Sequence, residues 1–254
     1  MSPWEPGTLA LLILTFVGAG LIQGLTGFGS VLFAVPIVLT VLEPRLGVVV
    51  TQLAVMWISI GMAARLWSSV RLIETVIIVL ASAPGVVLGS LALRYWPAWG
   101  IKIVVGSAVV LATVPLLLSI RRRISRERLA AVPAGFVGGL LQGATGMAGP
   151  PVVILLSNQG WGQDAFRGTM SLYLGVAGLW AMGVYWQAGL LTSEIGWLGL
   201  TLMPGLVLGS IVGSRLVSRI NAALFARMVV LLVLAGGLLT LATGALEGGR
   251  QPGG

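Results

Sequence analysis

The chain carries one sequence twice. Gly20-Leu-Ile-Gln-Gly-Leu-Thr-Gly-Phe-Gly29 returns as Gly139-Leu-Leu-Gln-Gly-Ala-Thr-Gly-Met-Ala148, and Pro84-Gly-Val-Val-Leu-Gly-Ser90 returns as Pro204-Gly-Leu-Val-Leu-Gly-Ser210. The offsets are 119 and 120 residues, so the 254-residue chain is two copies of one unit. Each copy opens with an apolar segment interrupted by glycine. Duplication with broken hydrophobic segments at corresponding places is the plan of inverted-repeat secondary transporters, in which the substrate binds where helices break.

Composition narrows the class. With 57% hydrophobic and 9% charged residues, the chain cannot build a polar globular surface, and most of it must face lipid or other apolar helices. The apolar runs are 8–22, 31–42, 46–66, 72–93, 100–120, 129–141, 150–157, 165–188, 195–216 and 222–243. Crossing the hydrocarbon core takes about 20 residues. Six runs reach that length, and the first two of each half read as half-helices whose tips meet inside the protein. The expected fold is therefore an all-α polytopic membrane protein of two inverted repeats, each a broken or re-entrant half-helix pair followed by three spanning helices. The repeats occupy residues 7–120 and 129–243, joined by a basic linker at 121–128 and followed by a disordered tail at 244–254. The start, Met1-Ser-Pro-Trp-Glu-Pro-Gly7, has no basic stretch or small-residue cleavage site before its first apolar run, so no removable signal peptide is expected.

The net charge of +8 would suggest nucleic acid in a soluble chain, but the arginines fall between apolar runs. No nucleic-acid partner is expected. If each broken pair returns to its starting side, as two crossings or as a hairpin, one side of the membrane receives Arg65, Arg71, Arg121, Arg122, Arg123, Arg126, Arg128, Arg167, Arg215, Arg219 and Arg227. Only Arg45, Arg94, Lys102 and Arg250 fall on the other, and this asymmetry obeys the positive-inside rule. The linker is then cytoplasmic, and both termini lie outside a cell (inner) membrane crossed many times. Trp96, Trp99, Tyr185, Trp186 and Trp197 form an outer aromatic belt, with Trp67 and Trp161 at the inner interface.

The chain has no Cys and no His. Disulfides, thiolates, imidazole bases and the usual transition-metal ligands are thereby excluded, and neither a cofactor nor a metal site is expected. An intramembrane enzyme would need a paired acid and base or a metal cluster, so the chain reads as a non-enzyme. A purely structural subunit is the competing class, but it has no reason to duplicate polar residues at helix breaks.

The breaks carry the expected chemistry. A second helix that begins after Thr-Gly presents backbone N–H groups with no intrahelical acceptor, at the positive end of its dipole. That arrangement holds an anion without a cationic side chain. The candidate substrate-binding residues are Gln23, Thr26, Gly27, Phe28, Gly29 and Ser30 in the first break. In the second they are Gln142, Thr145, Gly146, Met147, Ala148 and Gly149. Gly85, Gly89, Gly205 and Gly209 are read as packing glycines. Glu74 and Glu194, also repeat partners, are read first as first-turn carboxylates that serve their helix dipoles, with proton coupling as the lesser alternative. Arg94, Lys102 and Arg215 are expected to snorkel, and Asp164 to pair with Arg167 across one turn.

Gly20 through Ser30 followed by Pro36, Gly138-Gly139 through Pro151, and Arg167-Gly-Thr-Met170 together resemble the sulfite exporter TauE/SafE family of bacterial and archaeal permeases. The resemblance covers essentially the whole chain. It implies export of a small anion, sulfite or an organosulfonate, by alternating access, with the lipid bilayer as the surrounding partner and a homo-oligomer compatible with it. Ser30 stands where many members carry glycine. A small-carboxylate permease of the same architecture is the alternative within transport.

Overall fold

The computed structural model describes residues 3–118, 127–216 and 222–249. These form ten α-helices, α1 (Pro6–Thr26), α2 (Ser30–Val38), α3 (Pro44–Arg65), α4 (Leu72–Tyr95), α5 (Ala98–Leu118), α6 (Glu127–Thr145), α7 (Gly149–Ser157), α8 (Gln163–Gln187), α9 (Ser193–Leu216) and α10 (Ala222–Gly249), with a single 3-10 turn at Trp67–Ser69. No strand occurs among the described residues. The second five helices repeat the first five in order and in relative length. The six helices expected to span run 21 to 28 residues. By length and composition, α1, α3, α4 and α9 are long and apolar enough to cross a membrane.

The expectation of two half-helices in each pair needs correction. Only the second member of each pair is short. Helix α1 has 21 residues and α6 has 19, against nine each for α2 and α7. At 1.5 Å per residue α1 is about 31 Å long, the thickness of the hydrocarbon core. The helix runs past Ile22, where the apolar run stops, because its polar residues are satisfied within it. Thr26 donates its hydroxyl to the Ile22 carbonyl at 2.9 Å, and Thr145 donates to Leu141 at 2.7 Å in the same register of α6. A second correction concerns the tail. Residues 244–249, expected to be disordered, continue α10, which Lys102 of α5 ties down through a 2.6 Å ion pair with Glu247. Lys102 therefore has a partner rather than a merely snorkelling amine. The linker arginines 121–126, Arg219 and Arg250 lie outside the described residues.

Packing crosses between the halves. Helix α1 lies against α9 and α6 against α4, while α3 faces α8 and α5 faces α10. Replacing each of these helices by its repeat partner returns the same set of pairs. The duplicated glycines explain the close approach. A Cβ on Gly139 would stand 2.1 Å from the Ser82 carbonyl oxygen of α4, and one on Gly20 would stand 2.0 Å from that of Leu206 in α9. From the other side, Gly89 meets Leu140 and Gly209 meets Val17. The two repeated motifs are thus the two faces of one joint, each motif of one half packing against the other motif of the other half.

Large apolar side chains on the outside, such as Leu14, Leu80, Leu111 and Leu208, are more than half exposed, a surface suited to lipid. Trp67, Trp96, Trp186 and Trp197 are exposed near helix ends, as an aromatic belt requires. Tyr185 is not part of that belt. It is fully buried, and its hydroxyl donates to the carbonyls of Gln142 and Gly143 in α6, because α8 turns this face toward the second break.

Candidate functional site

The first break is a pair of left-handed glycines. Helix α1 ends where Gly27 takes φ 83°, its N–H returning to the Gln23 carbonyl at 2.8 Å, and α2 starts after Gly29 at φ 89°. Only glycine adopts such angles at no steric cost. The N–H groups of Ser30, Val31 and Leu32 open α2 with no carbonyl one turn behind them, and Phe33 is the first to close onto Gly29. Gln23 braces this turn. Its Nε2 donates to the Gly27 carbonyl and to Ser59 Oγ of α3, both at 3.2 Å, and its Oε1 accepts from Ser30 Oγ at 2.8 Å. Every polar atom of Gln23 is therefore engaged inside the protein.

The second break looks alike in sequence and differs in chemistry. Gly146 takes φ 74° and closes α6 onto the Gln142 carbonyl, as Gly27 does for α1. Gln142 Oε1 accepts from the Ala148 N–H at 2.8 Å. That bond sets the amide orientation, since a flipped side chain would oppose two donors. The Nε2 end of Gln142 is consequently left buried with no partner. Helix α7 begins Gly149-Pro150-Pro151, so two of its leading residues have no N–H to offer. Free leading N–H groups, expected of both second helices, are present in α2 and partly missing in α7. There the available donor is a side chain.

The two breaks adjoin. The position a Gly146 Cβ would occupy lies 3.5 Å from a Val31 methyl of α2 and 3.3 Å from Gln52 Oε1 of α3, an oxygen that is buried and also without a partner. Met147 packs in the same apolar cluster as Val31 and Leu32, and Ala148 is fully buried. Phe28 touches both halves of the core and meets Phe166 of α8 edge to face at 5.8 Å. Gln142 through Ala148 of the second break are buried, whereas Thr26, Phe28 and Gly29 of the first are partly open.

Arg167 corrects the expectation of an anion site with no cation beside it. This α8 residue is 7% exposed, and one guanidinium nitrogen donates to the Gly24 carbonyl of α1. Its carbons crowd Gly27, and its Nε is buried with no partner. The expected pairing with Asp164 is present, but at 3.7 Å and with a carboxylate that is 64% exposed, so it neutralises the arginine weakly. A buried arginine could have been suspected from its place within an otherwise apolar helix. Nothing in the sequence places it against α1. Ser171, one turn on, donates to the Gly27 carbonyl at 3.3 Å. Gln52, Ser59 and Ser171 are residues that sequence reading missed, Arg167 was read only for topology, its ion pair and its motif, and all four belong to α3 or α8, the helices on which the breaks rest.

Glu74 and Glu194 stand in the first turns of α4 and α9. Neither touches a break. Gly85, Gly89 and Gly209 meet backbone atoms and Gly205 the Val17 side chain, so the packing reading of these four is right.

Two duplicated halves, exchanged helix pairs, an apolar exterior and buried breaks at equivalent places define a polytopic helical membrane protein of the transporter type. The model of the family described as Sulfite exporter TauE/SafE matches residues 12–240, and the chain belongs to that family of membrane permeases for sulfite-type anions. Neither the curated proteins nor the solved structures yield a match to this chain.

Proposed function

We propose that this protein exports a small anion, sulfite or an organosulfonate, across the cell membrane by alternating access, and that the anion binds between the two breaks. The halves are related by inversion about an axis in the membrane plane, with both termini outside. Helix α2 supplies the amides of Ser30, Val31 and Leu32, Gln142 supplies its free Nε2, and the remaining break residues line the pocket. Gln23, with no free polar atom, shapes the site instead of touching substrate.

The observation that carries this reading is the unpartnered, fully buried Nε2 of Gln142, one turn before Gly146, which adjoins Val31 of α2. Leaving a buried donor unmade costs about 1–3 kcal/mol, a cost that a ligand accepting from it would recover. Reconstitution in liposomes tests the reading. Gln142→Ala is expected to reduce affinity for sulfite or sulfonate by one to two decades, from the roughly 1.5–3 kcal/mol of a hydrogen bond to a charged group. Transport and affinity unchanged in a correctly folded Gln142→Ala protein would remove the breaks from the mechanism.

A further inference from the structure

A cavity of about 390 Å³ opens between α3, the start of α8 and α9, outside the paired breaks. Its volume falls within the usual range for small-molecule sites, roughly 300–1,000 Å³. Arg65 and Arg167 both line it, and Ser210 and Ser214 of α9 stand among its walls. Two like charges around one hollow both attract an anion placed between them, even with Arg65 partly screened by solvent. Among the described residues, the one carboxylate paired with either is Asp164, outside the lining and mostly in solvent. Arg167 adds the second observation. It is more than nine-tenths buried, with its Nε unsatisfied, while another of its nitrogens holds the Gly24 carbonyl. It thus stands in the wall between the cavity and the first break. The rest of the lining is apolar, including Trp57, Met62 and Met203.

We infer that this cavity is a second oxyanion-binding site, an antechamber in which a sulfonate or similar head group lies against Arg65 and Arg167 while a short apolar body rests on Trp57, Met62 and Met203. Arg167 is its inner wall. The anion competes with Asp164 for the guanidinium and is held one helix away from the break, so the site loads the transport pocket. That loading role rests on the function proposed above, but binding in the cavity does not. An exposed arginine at the end of α3 and a weakly paired Arg167 make the site electrostatic in origin, and its affinity falls with salt.

Gly61 provides a clean probe, because it lines the cavity and a Cβ there would meet nothing within 4 Å. Binding of propane-1-sulfonate to the full-length protein in nanodiscs is titrated calorimetrically in the wild type, in Arg65→Gln, in Gly61→Phe and, in parallel, in Gln142→Ala. Thermal melting of each variant establishes that it is folded. Arg65→Gln, by removing a charge-assisted contact, and Gly61→Phe, by filling the cavity, are each expected to weaken a sulfonate-binding phase by at least about tenfold. Arg65→Lys is expected to restore most of it. The same phase is expected to survive in Gln142→Ala. Titrations unchanged in both Arg65→Gln and Gly61→Phe overturn the antechamber, whatever Gln142→Ala does. Unchanged binding and transport in Gln142→Ala, with the first two variants impaired, would instead sink the break reading and leave the cavity standing.

Discussion

Gln23 and Gln142 are the same residue at the same place in a duplicated motif, and their surroundings give them different work. Around Gln23 the partners are Ser30, Ser59 and the Gly27 carbonyl, so its amide is an internal brace. Around Gln142, Ala148 supplies a backbone N–H and the amide nitrogen is left over. Gln23→Ala is therefore expected to lower stability more than Gln142→Ala, by about 1–3 kcal/mol for the groups it strands, as read from the melting of the purified protein. Equal stability losses would mean that the two amides are braces alike. Gly27 offers a second contrast. Gly27→Ala forces an alanine to φ 83° and sets its Cβ 2.9 Å from the Arg167 backbone, a cost of at least about 1–2 kcal/mol from the backbone alone. Gly183→Ala, in open space within α8, is expected to be neutral or slightly stabilising in the same assay. A Gly27→Ala protein as stable as the wild type would show that the left-handed turn is dispensable.

Helices are the scale at which the sequence is most readable. Apolar runs bounded by arginine, proline and glycine foretell nearly every element, because a membrane helix must be long, apolar and internally hydrogen-bonded. Where the reading stops short, at Ile22 in α1 and Leu141 in α6, it does so because hydrophobicity ends before hydrogen bonding does. Gln23, Thr26 and Thr145 are polar by composition but satisfied by the helix or its neighbours, and Gln142 is anchored through its Oε1, so the helix continues through them. The breaks themselves were legible from duplication alone. What repetition cannot convey is which helices back each break, and so the place of Arg167 against α1 and of Gln52 beside Gly146 could not be read. Packing at the joints is testable at this scale. Gly139→Ala would drive a methyl to within 2.1 Å of the Ser82 carbonyl, and α4 and α6 would have to part. A loss of well over 1 kcal/mol is expected, within the 1–3 kcal/mol that overpacking usually costs. At the other end of α4, Glu74 sits in the first turn, as Glu194 does in α9, and their Gln variants are expected to weaken a helix start by no more than about 0.3–1 kcal/mol. Transport that loses its pH dependence in either Gln variant would make these carboxylates coupling residues.

At the scale of the whole molecule, the exchanged packing pairs follow from any two-fold relation between the halves, and orientation across the membrane has to come from charge. Trp67 and Trp186 are repeat partners just beyond α3 and near the end of α8, 119 positions apart and both more than half exposed. Arg65 and Arg71 flank the first. Between Arg167 and Arg215 no basic residue accompanies the second. Two equivalent turns with such different charge belong on opposite sides of a membrane if positive loops are retained inside, and on one side only if the halves are parallel. The chain has no native cysteine, so single cysteines report without background. Ser68→Cys and Gln187→Cys occupy these turns at the same offset, and both side chains are exposed. In intact cells, a membrane-impermeant maleimide is expected to label Gln187→Cys at once and Ser68→Cys only after the membrane is opened. Labelling of both from outside, or of neither, would make the halves parallel and end the inverted arrangement. The opposite assignment, with Ser68→Cys labelled alone, would keep the inversion and turn the whole molecule over, placing the arginine-lined cavity on the outer face.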